Sequence, residues 1–138
     1  MKTKKSECKI DSDGTKSWYK NGKLHRIDGP AVEGADGFKE WYINDKLHRT
    51  DGPACEYTDG LKWWYKNGKI HREDGPAIEY ADSTKYWYKN GKRHRTNGPA
   101  VEYPDSTKFW YLNGEQIEPQ VLVEKGYITE EELFLMLL

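Results

Sequence analysis

The sequence is short of cysteine, of net charge, of long apolar runs and of aliphatic side chains. Two cysteines in 138 residues, Cys8 and Cys55, make neither a disulfide framework nor a metal-ligand spacing. Cys55 fills a slot held by Val32, Ile78 and Val101 elsewhere, so it is expected to act as a small buried hydrophobe. A formal net charge of −1 removes any global pull toward nucleic acid or anionic membrane. The opening MKTKKSECKIDSDG has no apolar stretch of the kind a secretory leader needs. The longest apolar run, Leu133 to Leu138, is too short to span a bilayer. A cytoplasmic location is therefore expected. Hydrophobic residues make up 36% of the chain, and that share leans on six Trp and ten Tyr. A thick aliphatic core is excluded; the composition suits a thin structure that buries flat rings and leaves polar groups wet.

What the chain does contain is a repeat. Trp18, Trp41, Trp64, Trp87 and Trp110 are spaced by 23 residues, and a Tyr follows each of them. His-Arg recurs at 25–26, 48–49, 71–72 and 94–95, and Gly-Pro at 29–30, 52–53, 75–76 and 98–99. A Lys stands two residues before each Trp. Four units are complete, with a partial one at each end. A fixed period of this size signals a stacked array in which each unit buries its apolar surface on its neighbours.

Three breaks punctuate each unit. Asn-Gly (Asn44-Asp45 in the second unit) asks for positive φ and a tight turn. Asp-Gly-Pro (Asn97-Gly98-Pro99 in the fourth) is a second turn, whose Pro bars a central strand. Asp-Gly or Asp-Ser is a third. No helix of ten residues fits between them, so the units are read as extended. Two strands per unit are expected, such as Lys62–Lys66 and Ala77–Tyr80, with the KLHR-type segment either a loop or a third short strand. Alternation along these strands puts Trp63, Tyr65, Ile78 and Tyr80 on one side of a sheet. The other side carries the Trp column between columns of Lys and Glu. Lys–Glu cross-strand pairs contribute roughly 0.2–1 kcal/mol each, and a Lys ammonium beside an indole about 0.5–1 kcal/mol. Stability then accumulates along the stack. A central Trp is expected to matter more than Trp18 or Trp110, which lack a neighbour on one side.

These words resemble a divergent MORN repeat array. Trp64-Tyr65-Lys66-Asn67-Gly68-Lys69-Ile70-His71, followed by Glu79-Tyr80-Ala81-Asp82, follows the order of that 23-residue repeat, and the likeness runs from about Cys8 to Gly114. Arg26, Arg49, Arg72 and Arg95 stand where that family has a glycine after the His. The resemblance implies a mainly β fold: hairpins side by side in an elongated antiparallel sheet. It implies a scaffold or binding role rather than catalysis. The array is assigned to residues 1–118 and a helical cap to 119–138. In the cap, Pro119 opens a short helix ending at Gly126, and Thr129 with Glu132 forms a capping box ahead of LFLMLL. Leu122 to Leu133 resembles a SHOCT-type C-terminal segment. The cap is expected to cover the last strand edge; the alternative is a tip for dimerisation or membrane contact, because six successive apolar residues exceed what one helix face buries.

The candidate chemistry is sparse. Four histidines recur once per unit, so stacking spreads them in a row instead of clustering them, and no metal or cofactor is expected. The His-Arg row offers forked donors to an anion, yet Asp28, Asp51 and Asp74 follow two residues behind Arg26, Arg49 and Arg72 and neutralise them. Asn97 breaks that pattern, so Arg93, His94 and Arg95 form the preferred anion site. The Trp column is read as structural rings, and the Glu column speaks against nucleic acid. Catalysis needs unlike residues converging on one point, whereas a periodic surface gives rows of like residues. The expected function is a non-enzymatic repeat module that binds another protein, with Trp41, Trp64, Trp87, His71, Arg72, Arg93, His94 and Arg95 as candidate contact residues. A bacterial or phage accessory protein, one that blocks a host enzyme, is a setting such a module suits by analogy. The alternative is a binder of an anionic small ligand or phospholipid through the His-Arg row. Self-association through the C-terminal apolar segment is a further expectation.

Overall fold

The computed structural model describes residues 5–138; the first four residues of the expected array, and of the segment read for a leader, lie outside the described residues. The chain forms one long antiparallel sheet of 12 strands, open at both ends, followed by two short helices. Strand order follows chain order, because each turn drops the next strand beside the last. The result is a series of repeated short hairpins compatible with a MORN-type array. No helix among the described residues is long and apolar enough to cross a membrane.

The expected strand Lys62–Lys66 divides in two. Lys62–Trp63 pairs with Ile78–Glu79 in the main sheet, while Tyr65–Lys66 pairs with Lys69–Ile70 in a separate two-stranded ribbon. Trp64 is the switch between ladders: its N–H donates to the carbonyl of Ala77, and its own carbonyl accepts from the N–H of His71. The same break falls at Trp41 and Trp87, whereas Lys16–Lys20 and Lys108–Leu112 run unbroken. The expected strand Ala77–Tyr80 is shortened to Ile78–Glu79. The KLHR segment, open in the sequence, is half of each: Lys69–Ile70 is a strand and His71-Arg72 a loop. The Asn-Gly turn between the ribbon strands has φ of 51° at Asn67 and 79° at Gly68, as a two-residue hairpin with right-handed strand twist requires.

Register sorts the two faces. Ser17, Val32, Glu40, Cys55, Trp63, Ile78, Tyr86, Val101 and Phe109 lie opposite one another across successive strands, so they form one row on one face. The opposite face carries Lys and Glu in alternation, as with Lys62 opposite Glu79 and Lys85 opposite Glu102. The core is correspondingly thin. Ala31, Ala54, Ala77 and Ala100 are wholly buried beneath the Asp-Gly-Pro loops, and Cys55, Ile78 and Val101 lie buried beneath the rings of the other face. Cys55 is thus the small buried side chain its slot suggests.

The C-terminal segment forms α1 (Gln120–Glu124) and α2 (Glu130–Leu137), with both bonds of the Thr129–Glu132 capping box made. Leu122, Ile128 and Leu133 close over the indole of Trp110, supported by Leu112 and Ile117. The cap therefore sits on the tryptophan face of the last hairpin. This corrects the expectation for Trp110: it has the helices as its neighbour and is the one buried tryptophan among those described. The surplus of apolar residues is real, since Phe134, Leu135 and Leu137 on α2 and Leu138 just after it remain exposed.

Candidate functional site

Each unit builds its loop around one arginine. Arg72 lies over the indole of Trp64, with its guanidinium carbon 4.0 Å from the ring centroid. Its Nε donates to Asp74 at 3.1 Å, and its Nη1 donates to the carbonyl of Pro76 at 3.0 Å and to Glu79 at 3.1 Å. Arg26, Arg49 and Arg95 repeat this over Trp18, Trp41 and Trp87 at 3.8–4.0 Å. In the fourth unit Asn97 takes the place of the aspartate and accepts from Nε at 3.0 Å. The cation over each indole is therefore Arg, not the expected Lys, and the Glu column spends its carboxylates on Arg rather than on the Lys opposite. A planar guanidinium can stack on the ring and reach three acceptors at once, which an ammonium cannot.

The other side of the guanidinium explains the glycine. A Cβ on Gly75 would sit 2.9 Å from the guanidinium carbon of Arg72, and the equivalent on Gly98 would sit 2.8 Å from that of Arg95. The arginine is clasped between an indole and a bare Cα. The glycine of Asp-Gly-Pro is there for that close approach, not for a left-handed φ. Sequence reading identified it as a turn residue; the coincident period of Trp, Arg and Gly was the available signal.

The histidines tie units together. Nδ1 of His71 accepts the backbone N–H of Asn90 at 3.0 Å, and Nδ1 of His94 accepts that of Asn113 at 3.0 Å. His25 and His48 do the same for Asn44 and Asn67. Each His therefore fixes the Asn-Gly turn of the following unit rather than its own loop. Accepting at Nδ1 places the proton on Nε2, and in His71 that nitrogen donates to Glu73 at 2.6 Å. Glu73 is held below the usual carboxylate range by His71 first and by the Lys89 charge next. His94 is pushed below the usual histidine value by burial and by Lys89. Asp28 and Asp51 are held low by Arg26 and Arg49.

The preferred anion site does not assemble. Arg93 pairs with Tyr88 and shares its face, while His94 and Arg95 belong to the loop on the opposite face, with Arg95 over Trp87. Strand alternation separates Arg93 from His94, and Arg95 follows His94 because the strand ends at Arg93 and the chain turns into the loop. Arg93 stands in a slot filled by Leu24, Leu47 and Ile70 in the other units, and comparing those slots would have flagged it.

Between successive loops the structure leaves open clefts, one per unit. Those following the first, second and third loops have cavity volumes of about 500, 690 and 410 Å³. Trp41, Trp64 and Trp87 line one cleft each, with the Asp-Gly loop of the unit before as one wall and the His-Arg loop of their own unit as the other. The candidate residues His71, Arg72, His94 and Arg95 line these clefts; Arg93 does not. Among the described residues no three His, Cys, Asp or Glu side chains converge to hold a metal ion. Compared with models of known families and with the sequences of curated proteins, the chain matches none, so the MORN likeness rests on the repeated hairpins and nothing supports the SHOCT likeness of the C-terminal segment.

Proposed function

We propose that this chain is a non-enzymatic scaffold that binds another protein, gripping an extended segment of it along the loop face. The observation that carries the reading is the row of clefts, one per repeat, each with an indole in its lining. Two strands per repeat advance the main sheet by about 9.6 Å. A polyproline II segment advances about 9.3 Å in three residues. Every third side chain of such a segment meets a fresh cleft. The walls supply apolar contact from Ile27, Ile43 and the indoles, and exposed polar groups from Thr50, Asp51 and Glu73. Pre-formed extended ligands docked in aromatic-lined grooves are a recurrent mode of peptide recognition.

The alternative, an anionic ligand or phospholipid on the His-Arg row, gains no support from the geometry. The Nε and Nη1 donors of each loop arginine already serve the chain's own acceptors, and each Nδ1 already holds a neighbouring turn. The Asp row along the loops is also unfavourable to nucleic acid.

The test is a length series of proline-rich peptides selected against the immobilised protein. Affinity is expected to rise in steps, one for each three residues added. Thr50→Glu, Lys66→Glu and Glu73→Lys change cleft walls without touching the arginine clasp. They are expected to weaken binding at least tenfold, with an unaltered melting temperature for Thr50→Glu and Lys66→Glu and a lowered one for Glu73→Lys, which breaks the contacts to His71 and Lys89. Affinity that ignores peptide length, or that survives all three changes, overturns the proposal.

A further inference from the structure

The two faces of the sheet are not equally covered. The Asp-Gly-Pro loops and the C-terminal helices lie on the tryptophan face, where the four alanines are wholly buried. On the opposite face no element of the described chain lies over the ring row. Tyr80, Tyr86, Tyr103 and Phe109 run along it edge to face, with centroids 5.8–6.2 Å apart, and Tyr80 and Tyr103 stand exposed. A sheet with an apolar face is stable as one of two packed layers, and here the second layer is missing.

Two ionised side chains interrupt the middle of this face. Glu40 occupies a slot that is Trp63, Tyr86 and Phe109 in later units. Its carboxylate accepts from the hydroxyls of Tyr42 at 3.1 Å and Tyr57 at 3.0 Å. Arg93 occupies a slot that is leucine or isoleucine in the other units. Its guanidinium donates to the hydroxyls of Tyr88 and Tyr111, both at 3.3 Å, and lies 5.2 Å from the Tyr111 ring. Neither has a salt-bridge partner among the described residues. One acid and one base are each set in a pair of tyrosines, aimed at nothing of opposite sign.

Their placement is symmetric. Glu40 lies on the strand Lys39–Glu40, and Arg93 on Lys92–Arg93, the second strand of the ribbon that continues from Lys85–Tyr86, between Tyr88 and Tyr111 and so level with Val101–Glu102. Four strands separate Lys39–Glu40 from Val101–Glu102 in the sheet, and the midline runs between Lys62–Trp63 and Ile78–Glu79. A two-fold axis along that midline, in the plane between two facing sheets, reverses the array and carries the Glu40 end onto the Arg93 end. We infer that a second copy of this chain covers the aromatic face, in a face-to-face dimer where Glu40 of each copy pairs with Arg93 of the other. An isologous interface needs a self-complementary patch of this kind, with each contact made twice. Buried side chains of opposite charge pair in such an interface, whereas either one alone is a buried charge left over. The inference is independent of the peptide clefts, which stay outward on both copies.

Sedimentation equilibrium of the full chain tests it. The wild type is expected to dimerise at micromolar concentration, and Glu40→Arg and Arg93→Glu alone to be at least tenfold weaker. Mixing the two charge-reversed variants must restore the dimer, because the two new charges then face each other at one pair and the other pair is that of the wild type. Should either reversal unfold the chain, Arg93→Leu puts in the residue type of the sister slots and must still weaken the dimer tenfold. A monomeric wild type, a dimer as tight in these variants as in the wild type, or one abolished instead by Phe134→Ser with Leu135→Ser, overturns the inference.

Discussion

At the scale of single residues, the arginine clasp decides whether a loop forms. The guanidinium of Arg72 fills the gap between the Trp64 indole and the Gly75 Cα, so Gly75→Ala pushes a methyl to 2.9 Å from it. The arginine must leave the ring, or the loop must move off the sheet. Overpacking of this sort costs about 1–3 kcal/mol. A drop of that size in urea-unfolding stability is expected, and a variant as stable as the wild type would contradict the clasp. Much of the exposed Arg72–Asp74 pair is screened by solvent, so Asp74→Ala should cost far less than the glycine change.

Histidine gives the same scale a pH dependence. His94 is held below its ordinary value of 6.5, chiefly by burial and then by Lys89. A depressed value means that the unfolded chain binds the proton more readily than the folded one. Stability is therefore complete above the unfolded value and is lost as pH falls through the folded one. Protonation also removes the Nδ1 lone pair that holds the Asn113 turn. The urea midpoint is expected to fall between neutral pH and about pH 5, more steeply in the wild type than in His94→Gln. Equal slopes in the two proteins would rule this account out.

At the scale of the element, the C-terminal helices replace a missing repeat. In every complete unit an Arg loop covers the indole; over Trp110, α1 and α2 do so with Leu122, Ile128 and Leu133. Leu122 is wholly buried, and truncating such a side chain costs about 2–5 kcal/mol. Leu122→Ala is expected to lose stability in that range and to red-shift the tryptophan emission as Trp110 meets water. An unshifted spectrum would place the cap elsewhere. Much of this element was legible beforehand. Thr129, Glu132, Pro119 and Gly126 are local signals, and they marked the helix ends nearly residue by residue. What lies beneath a cap is a long-range matter, and the sequence held no local cue for it.

At the scale of the whole molecule, the same division holds. The 23-residue period and the turn residues announced the array, its extended strands and the alternation of its faces. The break at Trp64 was invisible, because each half of Lys62–Lys66 alternates correctly and only pairing to two different partners divides it. The clefts were invisible as well, since their walls come from different repeats. The partial legibility of the candidate residues has one cause. Position in the period predicts which slot a side chain fills, and strand parity predicts its face. Arg93, His94 and Arg95 were grouped by adjacency in the chain; parity separates only His94 from Arg93, and it is the end of the strand at Arg93 that turns Arg95 to the opposite face.

The histidine bonds all point one way, from a ring in one unit to a peptide N–H in the unit after it. Duplicating or deleting a whole segment of the period leaves every such donor facing an acceptor, wherever along the series the cut is made. The last complete unit has no such freedom: its ring still requires a half-built turn ahead of it, which Asn113 provides. Length in a molecule of this kind is thus open to adjustment in whole steps, provided that the half-built turn at Asn113 is kept after the last ring.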